Sequence, residues 1–385
     1  MSTKIYLIRH AEAEGNLYRR VHGHYDSNVT ELGMRQMEAL RARFADVRVD
    51  AVYASDLVRA ATTAGAISGP RGLKVHTSPH LREVYMGHWE DLTWARLERE
   101  EPEQLRYFAR DPMRWDTGTN ETFLPLTARI RDGVTRIAKK HKNKTVCIVS
   151  HGNTIRTLLA SISNIPSERI SEVGHCDNTG VSLLTWKEGC FHIHYGNDAS
   201  HLSPEISTFA RQNWWRDTPG YETGNVDFFP INSGYGLTRY LSYRRAAWKD
   251  IYGDLADYSD AEYLPIAGQY ATAHPRALVE AYLRDKPIGM LELDVNHGYR
   301  GEEGAISFLY IDPVYRGRRL GAQLIGHAVS VYRELGRKRL SLKVEKINLE
   351  TVEFLERLGF YKTGEIEAGK YPVWLMEMDI RVRIR

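Results

Sequence analysis

The sequence is 385 residues long, which exceeds what one hydrophobic core usually supports and therefore predicts two domains. Its 42% hydrophobic and 26% charged residues exclude extensive disorder. The 52 basic and 49 acidic residues leave a formal charge of +3, which suits small anionic metabolites and is too small for a nucleic-acid-binding surface.

The cysteines and the apolar runs indicate the cellular setting. Cys147, Cys176 and Cys190 include no close pair, so the sequence predicts neither a disulfide framework nor a thiolate zinc site. We expect all three to be buried. No apolar run approaches the length of a membrane span, and nothing near the N-terminus is typical of a signal peptide. We therefore expect a cytoplasmic protein with no membrane partner.

Strands and helices alternate in the first half of the chain. Apolar runs at residues 4–8, 51–54 and 145–150 are typical of buried strands. The patterns at residues 31–44 and 56–67 are typical of helices. This alternation predicts an α/β domain with a largely parallel sheet.

The periodicity fails between His201 and Gly236, where proline and glycine are frequent, and we place the domain junction there. Trp214 and Trp215 lie in this segment. The pair either lines a ligand site or, in the interpretation that we favour, packs against a neighbouring domain. The resulting division is a first domain at residues 1–203, a linker at 204–226 and a second domain at 227–385.

Residues suited to phosphate chemistry follow three of the predicted strands. Arg9 and His10 follow the first strand, Arg59 opens the helix after the second, and His151 follows the third. Ligands bind at the carboxyl ends of strands in open α/β sheets, so we expect these side chains to converge. Guanidinium groups match the charge of a phosphoryl group in transfer. Nearby arginines also lower the pKa of a histidine, which keeps it neutral and nucleophilic.

A leaving alcohol needs a proton, and Glu83 is a carboxylic acid that can supply one. Three other histidines, His22, His24 and His88, lie in predicted loops. No tight ligand spacing with carboxylates accompanies them, so the sequence predicts no metal. We interpret these three as loop residues that can contribute to substrate specificity.

These motifs resemble the histidine phosphatase superfamily, the phosphoglycerate mutase-like proteins, over roughly residues 1–203. The resemblance implies a three-layer α/β/α domain. It implies that His10 is the nucleophile that becomes phosphohistidine, that Glu83 is the proton donor, and that His151 also serves catalysis. The phosphate-binding residues that the resemblance implies are Arg9, Asn16, Arg59 and His151.

Other segments support the resemblance, and two depart from it. Residues 30–33 with Gln36 resemble the family's helix after the nucleophile loop, and residues 197–202 resemble its closing segment. Ala11 stands where the family often has glycine, and residues 117–122 match only loosely. The domain lacks the longer insertions typical of the mutases, so the resemblance favours a phosphatase.

The second half carries a different anion-binding pattern. Residues 306–322 contain an apolar strand, a proline turn, a basic glycine-bearing loop and the start of an amphipathic helix. Such a loop presents backbone N–H groups and a helix dipole to an anion. A strand at residues 339–345 and a helix at 351–360 follow.

This pattern resembles the GNAT acetyltransferases over roughly residues 227–385 and implies a mixed α/β domain. The resemblance implies that acetyl-CoA is a cosubstrate whose pyrophosphate binds the loop, in which Arg319 replaces the middle glycine. It also implies that the pantetheine pairs with the strand carrying Ile311, like an added strand. The implied acetyl-CoA-binding residues are Ile311, Arg316, Gly317, Arg318, Arg319, Leu320, Gly321, Ala322 and Asn348.

The sequence does not determine which residues of the second domain act as acid and base. The family's usual tyrosine acid falls at Leu355, which cannot donate a proton. Either Tyr361 or a bound water substitutes, or the step proceeds without that acid, or the domain only binds acyl-CoA. Glu302 and Glu303 are candidate bases, although a solvated acidic turn explains them equally well.

The sequence therefore predicts a bifunctional enzyme that hydrolyses a small phosphate monoester and transfers an acetyl group from acetyl-CoA to an amine. The expected partners are a small phosphorylated metabolite and a small amine, without nucleic acid. One alternative is a phosphatase regulated by a non-catalytic acetyl-CoA-binding module, and another is a phosphomutase. Neither substrate is predicted, because variable loops set specificity in both families.

Overall fold

The computed structural model describes residues 2–212, 224–231, 235–297, 301–367 and 371–383. These residues form two compact units, of which the first holds most of residues 2–212 and the second most of 224–381. Ile206 and Thr208, from the predicted linker, bond to the first unit, because Gln36 Nε2 donates to the Ile206 carbonyl at 2.8 Å and to Thr208 Oγ1 at 2.9 Å. Trp214 and Trp215 lie outside the described residues.

The described part of the first unit contains a six-stranded sheet and helices on both of its faces. The strands are β1 (Ser2–Arg9), β2 (Ala51–Ala54), β3 (Val75–Thr77), β4 (Thr145–Ser150), β5 (Val181–Lys187) and β6 (Cys190–Asp198). The helices are α1 (Glu14–Tyr18), α2 (Glu31–Arg43), α3 (Val58–Ser68), α4 (Trp94–Glu100), α5 (Pro102–Arg110), α6 (Phe123–Lys140), α7 (Gly152–Ile162) and α8 (Thr208–Arg211).

The sheet has the strand order β3-β2-β4-β1-β5-β6. The first four strands are parallel, and β5 and β6 are antiparallel additions at one edge. Residues of β1 alternate between two cores: Tyr6 and Ile8 belong to one, and Ile5 and Leu7 to the other. The first core includes residues of α2 and α3, and the second includes residues of α6 and α7. The three-layer α/β/α prediction is confirmed.

The strand register brings the predicted site residues to one edge of this sheet. Arg9 at the end of β1 pairs with Ser150 at the end of β4. His10 and His151 therefore each follow one member of this pair, so the two histidines leave the sheet side by side. On the other side of β4, Ala54 of β2 pairs with Val149, so the chain that leads to α3 leaves the sheet at the same edge.

The described part of the second unit contains a seven-stranded mixed sheet together with helices, which agrees with the predicted mixed α/β domain. Its strands are β7 (Val226–Pro230), β8 (Leu278–Leu283), β9 (Lys286–Asp294), β10 (Glu303–Ile311), β11 (Arg339–Glu345), β12 (Tyr361–Ile366) and β13 (Val373–Asp379), in the order β12-β13-β11-β10-β9-β8-β7. Its helices are α9 (Tyr235–Tyr252), α10 (Asp260–Ala273), α11 (Leu320–Glu334) and α12 (Leu349–Arg357).

The parallel strands β10 and β11 part from each other midway. They pair only from Glu303 to Ile306 on β10. Beyond that point β10 remains paired with β9 as far as Ile311, and β11 remains paired with β13 as far as Glu345. A shift of register falls between Ile306 and Phe308. The second half of β10 thus presents a strand edge to which β11 does not bond.

The cysteines and the helices bear on two further predictions. Cys147, Cys176 and Cys190 are free thiols, but Cys190 is exposed, so the expectation that all three are buried is wrong. Cys190 begins β6, an edge strand of the sheet that has a neighbouring strand on one side only among the described residues. Over the described ranges, every helix is too short or too polar to traverse a lipid bilayer.

Candidate functional site

His10 lies directly after β1 in a main-chain setting that selects one tautomer. Its backbone N–H donates to the Ser150 carbonyl at 2.9 Å, and its side chain is only 6% exposed. The ring Nδ1 lies 2.7 Å from the carbonyl oxygen of Ala11. Because that oxygen can only accept, Nδ1 carries the hydrogen and Nε2 keeps its lone pair. The free lone pair makes Nε2 the nucleophilic atom of this residue.

Burial and neighbouring cations keep the His10 ring neutral. Burial is the largest cause that places its pKa well below the ordinary value, and the positive charges of Arg59 and Arg9 lower the pKa further. Both effects penalise the imidazolium. His10 therefore retains its nucleophilic form near neutral pH.

His151 forms the second half of the site. It precedes the first residue of α7, and its ring centroid lies 5.1 Å from that of His10. The side chain is fully buried, and within the described chain neither ring nitrogen has a hydrogen-bond partner. Burial, followed by the charge of Arg59, places its pKa well below the ordinary value. A buried ring without partners is costly unless a ligand supplies them, so this ring is suited to contact an anion.

The two arginines are held by main-chain carbonyls. Arg9 Nη1 donates to the Cys176 carbonyl at 2.5 Å, and its buried Nε has no partner in the described chain. Arg59 Nη2 donates to the Gly23 carbonyl at 2.7 Å, and its nearest ion-paired carboxylate, Asp26, lies 3.9 Å away. Neutral carbonyls orient a guanidinium without cancelling its charge. Both groups thus remain available to a phosphoryl oxygen.

Glu83 lies at the N-terminus of α7, the helix that also positions His151. Its Oε1 accepts from the Thr154 backbone at 2.9 Å, the Thr154 hydroxyl at 2.9 Å and the Val84 backbone at 3.0 Å. Its Oε2 accepts from the Asn153 backbone at 3.2 Å. One helix start therefore orients both a histidine and a carboxyl group. Asn153 and Thr154 were not predicted from the sequence, although their place just after His151 at a helix start was a usable signal.

Asn16 turns its carbonyl oxygen into the protein. Its Oδ1 accepts from the Ala13 backbone at 3.1 Å and from Asn178 Nδ2 at 3.4 Å. Asn178 Nδ2 also donates to the His10 carbonyl at 2.9 Å, and the Thr179 backbone donates to the Arg9 carbonyl at 3.1 Å. The loop at 176–180 thus fixes the backbone of Arg9 and His10. This loop was not predicted from the sequence, because it has no periodic pattern.

Two segments that resemble the histidine phosphatase superfamily contact the chain around His10. Gln36 Oε1 accepts from the Glu12 backbone at 2.7 Å. His201 Nε2 lies 3.0 Å from the hydroxyl of Thr179, in the loop behind His10. The Ala11 backbone donates to a threonine hydroxyl of α3 at 2.9 Å. These residues position the site and do not themselves contribute its charges.

The three loop histidines occupy different settings. His22 Nδ1 lies 2.9 Å from the Ser27 hydroxyl, and the charge of His22 contributes to the lowered pKa of His10. His24 Nε2 lies 2.9 Å from the Glu83 carbonyl. His88 is exposed and contacts Glu101 at 2.7 Å. Among the residues that the structure describes, no three histidine, cysteine, aspartate or glutamate side chains form a group that could hold a metal ion.

The loosely matching loop at 117–122 contributes Glu121, which pairs with Arg129 at 2.6 Å. Arg129 also donates to the carbonyls of Arg82 at 3.0 Å and Glu83 at 3.2 Å. This loop therefore fixes the backbone beneath Glu83.

In the second unit, the loop after β10 contains two residues in the left-handed backbone conformation. Gly317 has φ +73°, and Arg319, which precedes α11, has φ +63°. Arg319 thus adopts a left-handed conformation, which glycine adopts more readily than other residues. Glycine is the residue implied at this position by the resemblance described under Sequence analysis. Arg316 donates to the Ile311 carbonyl at 2.9 Å and to the Asp250 carboxylate at 2.7 Å. Its guanidinium already has two partners, so an anion at this loop would contact the backbone N–H groups or the neighbouring Arg318 and Arg319.

The other implied acetyl-CoA-binding residues have packing or capping contacts. Leu320 and Ala322 are buried at the start of α11. A Cβ at Gly321 would lie 2.8 Å from the Phe354 ring, so glycine there permits close packing. Asn348 caps α12 by accepting from the Thr351 backbone at 3.3 Å.

The candidate acid–base residues of the second unit do not gather beside the parted strands. Leu355 is fully buried in α12, and Tyr361 is 50% exposed on β12. Glu302 pairs with Lys338, and Glu303 accepts from a serine of β11. Both glutamates lie at the start of β10, roughly 25 Å along the strand from Ile311.

The three-layer fold and the histidine pair at the sheet edge define an enzyme of phosphoryl chemistry. The model of the histidine phosphatase superfamily (branch 1) matches residues 5–199, about half of the 385 residues, and the chain belongs to that family. The model of the acetyltransferase (GNAT) family matches residues 241–360 of the same chain.

Named relatives agree with this membership. The metal-independent phosphoserine phosphatase of Arabidopsis thaliana is 32% identical over 207 residues, which is 52% of this chain and 84% of that protein. Phosphoglycerate mutase-like protein 4 of the same plant is 31% identical over 203 residues, 52% of this chain and 86% of that protein. The solved structure of Bacillus stearothermophilus YhfR has 30% identity and a TM-score of 0.51, and the match covers 52% of this chain and all of that one.

Proposed function

We propose that the first unit hydrolyses the phosphate monoester of a small metabolite through a phosphohistidine at Nε2 of His10. The observation that carries this proposal is the ring of His10. Its Nδ1 is committed to the Ala11 carbonyl, its pKa is lowered by burial and by two arginines, and a second buried histidine lies 5.1 Å away. A neutral nucleophile among phosphate-binding cations is what phosphoryl transfer requires.

In the first step, the Nε2 lone pair of His10 forms a bond to phosphorus while the bond from phosphorus to the ester oxygen breaks. Glu83, in its carboxylic acid form, gives its proton to the leaving oxygen, so that an alcohol departs. Arg9, Arg59 and His151 donate to the non-bridging oxygens, whose charge is greatest in the transition state. The amide of Asn16 is a further donor.

In the second step, the Glu83 carboxylate takes a proton from a water molecule. The water oxygen attacks phosphorus, the bond to His10 Nε2 breaks, and the phosphate leaves. His10 regains its neutral ring and Glu83 its proton, so both groups return to their starting states. The chemistry needs no metal in this scheme, because the arginines supply the positive charge.

Phosphoserine is the first substrate that we propose to test. The support is the name of the Arabidopsis thaliana relative, a metal-independent phosphoserine phosphatase of which the match spans 84%. The proposed substrate class is therefore a small phosphate ester, with an amino-bearing alcohol as its leaving group.

The test measures phosphate release from phosphoserine and a panel of other phosphorylated metabolites. We expect the wild type to release phosphate and His10→Ala to be inactive, while His76→Ala, at an exposed position on β3, retains activity. Brief reaction with ³²P-labelled substrate should give an acid-labile label in the wild type only. Release that persists in His10→Ala would refute the nucleophile. Phosphate that moves between metabolites without release would instead indicate a mutase.

We further propose that the second unit transfers an acetyl group from acetyl-CoA to an amine, which makes the chain bifunctional. The family match over residues 241–360, the strand edge offered by β10 and the backbone loop after it support this proposal. The amine nitrogen attacks the thioester carbonyl, the carbon–sulfur bond breaks, and coenzyme A leaves as its thiol after taking up the proton that the amine loses. We expect release of CoA thiol when acetyl-CoA and a panel of amines are supplied.

One observation favours a second candidate for this unit. Leu355 occupies the place of the usual tyrosine acid and is fully buried, so it is a core residue. A unit that binds acetyl-CoA without turnover and regulates the phosphatase would accommodate such a residue. Acetyl-CoA that binds and alters phosphate release, without any release of thiol, would favour this candidate.

A further inference from the structure

A cavity in the first unit is lined by residues of α5, α6 and α7 and by the residue that follows Glu83. We call it the α7 cavity. The space between its lining residues is about 360 Å³, part of which is open to solvent. Its apolar walls include one or two side chains from α5, from α6 and from the segment after Glu83: Val84, Phe108, Phe123 and Leu126. The arginines and histidines to which phosphate binding is assigned above do not line it, so the α7 cavity is separate from that site.

One face of α7 contributes polar side chains to this cavity. Asn153, Arg156 and Thr157 all line it, and their spacing along the helix places them on the same face. Thr157 is only 2% exposed. In the part of the chain that the structure describes, the hydroxyl of Thr157 and the side-chain amide of Asn153 have no hydrogen-bond partner. Buried polar groups usually have partners, so these two groups are suited to contact a ligand.

Arg156 supplies a positive charge to the α7 cavity. The residue is 7% exposed, and its Nε and Nη2 donate to the carbonyls of Val173 at 2.8 Å and Ile170 at 3.0 Å. Within the described ranges no carboxylate forms an ion pair with Arg156, and burial lowers its pKa. Its Nη1 has no hydrogen-bond partner there. A buried cation is costly unless a negative charge accompanies it, and a bound anion would supply that charge.

Two other residues that line the α7 cavity also fit an anionic ligand. Glu121 is acidic, but Arg129 donates to both of its carboxylate oxygens, at 2.8 Å and 2.6 Å, so its charge is compensated. Trp115 is 1% exposed, and its Nε1 has no hydrogen-bond partner in the described chain. The indole N–H, the hydroxyl of Thr157 and Nη1 of Arg156 are all able to donate. A group that accepts hydrogen bonds and carries negative charge therefore matches this cavity.

We propose that the α7 cavity binds a small carboxylate with an apolar part. The guanidinium of Arg156 pairs with the carboxylate, the hydroxyl of Thr157 donates to it, and the apolar walls contact the remainder of the ligand. The ligand adjoins the proton donor, because the backbones of Asn153 and Val84 donate to Glu83 at 3.2 Å and 3.0 Å. The carboxylate belongs either to a separate metabolite or to the leaving group of the phosphate ester. Only the second source rests on the phosphatase proposed above.

The test measures binding of benzoate to the full-length protein by calorimetric titration, with benzamide as the neutral probe of the same shape. We expect benzoate to bind about tenfold more tightly than benzamide. Arg156→Leu should remove this difference. Thr157→Val keeps the shape of the side chain and should weaken benzoate by about fivefold, without loss of stability in urea unfolding. Thr62→Val, the same change at a buried hydroxyl of α3 that has no partner in the described chain, is the matched control and should bind as the wild type does.

Equal binding of benzoate and benzamide, or wild-type affinity for benzoate in Thr157→Val, would overturn this site. Displacement of benzoate by inorganic phosphate would overturn it too, because the probe would then lie beside His10. Titration of His10→Ala in the presence of phosphoserine distinguishes the two sources. If phosphoserine displaces benzoate and phosphate does not, the carboxylate is that of the leaving group. If neither displaces it, the ligand is a separate metabolite. Binding is measured without turnover, so a failure of the phosphatase proposal, seen as absent phosphate release, is distinct from a failure of this site.

Discussion

The two units differ in the parts of the chain that would contact the anionic ligands proposed for them. In the first unit, charged side chains from separate strand ends converge, and Arg9 and Arg59 are held by carbonyls that leave their charge intact. In the second unit, Arg316 is already paired with Asp250, and the loop after β10 offers backbone N–H groups. Replacing one side chain should therefore greatly reduce the activity of the first unit. In the second unit, ligand affinity should depend mainly on the backbone conformation of the loop.

Of the changes that compare the two units, Glu83→Gln in the first unit should cause the largest loss of activity. Glutamine keeps the shape of the side chain but cannot give a proton, so phosphate release from an alkyl ester should fall by about 10²- to 10⁴-fold. With p-nitrophenyl phosphate, whose leaving group needs no proton, the loss should be much smaller. Glu38→Gln, on the exposed face of α2, is the matched control. Equal losses on both substrates would contradict the role of Glu83 as acid.

His151→Leu should produce the next largest effect and separate activity from stability. Removing a donor to the phosphoryl oxygens should lower kcat by about 10²- to 10³-fold. Both ring nitrogens of His151 lack partners in the described chain, so an apolar side chain of similar volume should leave the unfolding free energy unchanged or raise it. Steady-state kinetics and urea unfolding of the same variant test both parts. A variant that loses stability and keeps its activity would show a structural role.

The two units should also differ in their response to acid. The pKa values of His10 and His151 lie well below 6.5 in the folded chain, mainly because both rings are buried. Below pH 6.5 the unfolded chain therefore binds more protons than the folded chain, so the unfolding free energy should fall as the pH is lowered through that range. Well above pH 6.5, where these two histidines are neutral in the unfolded chain as well, they should make no pH-dependent contribution.

Hydrogen exchange with mass spectrometry can follow each unit separately in the full-length protein. After correction for intrinsic exchange rates, protection of β1 and β4 should decrease from pH 6.5 downwards, and His151→Leu should make the decrease shallower. The strands β10 and β11 serve as the internal reference. An identical pH response in the wild type and the variant would count against the buried neutral histidine.

The smallest effect should come from Gly317→Ala in the second unit. Gly317 has φ +73°, and a Cβ there meets no neighbouring atom within 4 Å, so the change adds backbone strain without a clash. The left-handed conformation costs an alanine about 1 kcal/mol, which should weaken acetyl-CoA binding by about fivefold. Calorimetric titration measures the affinity, and phosphate release should be unaltered. Wild-type affinity would indicate that the loop does not hold the ligand.

Local pattern was sufficient to predict the strands and the residues at their ends. The apolar run before His10 and the one before His151 are buried in the sheet as expected, because a strand covered on both faces is apolar throughout. Parallel strands end at one edge, so the meeting of these two histidines followed from their places in the sequence. The exposed Cys190 was predicted wrongly, because an edge strand buries less of its surface than a central one.

Only the tertiary structure could decide which groups complete each site. Asn178 reaches His10 from a loop that follows 168 positions later, and Glu83 binds the start of a helix about 70 positions away. The hydrophobic pattern of a segment indicates only which face of its own strand or helix a residue occupies. The contacts named above depend on where irregular loops pack against the sheet, and such loops have no repeating hydrophobic pattern. The amino-acid sequence by itself determined the strands, their buried faces and the histidines at their ends. Long-range packing decided which partners orient those histidines and where β10 and β11 part from each other.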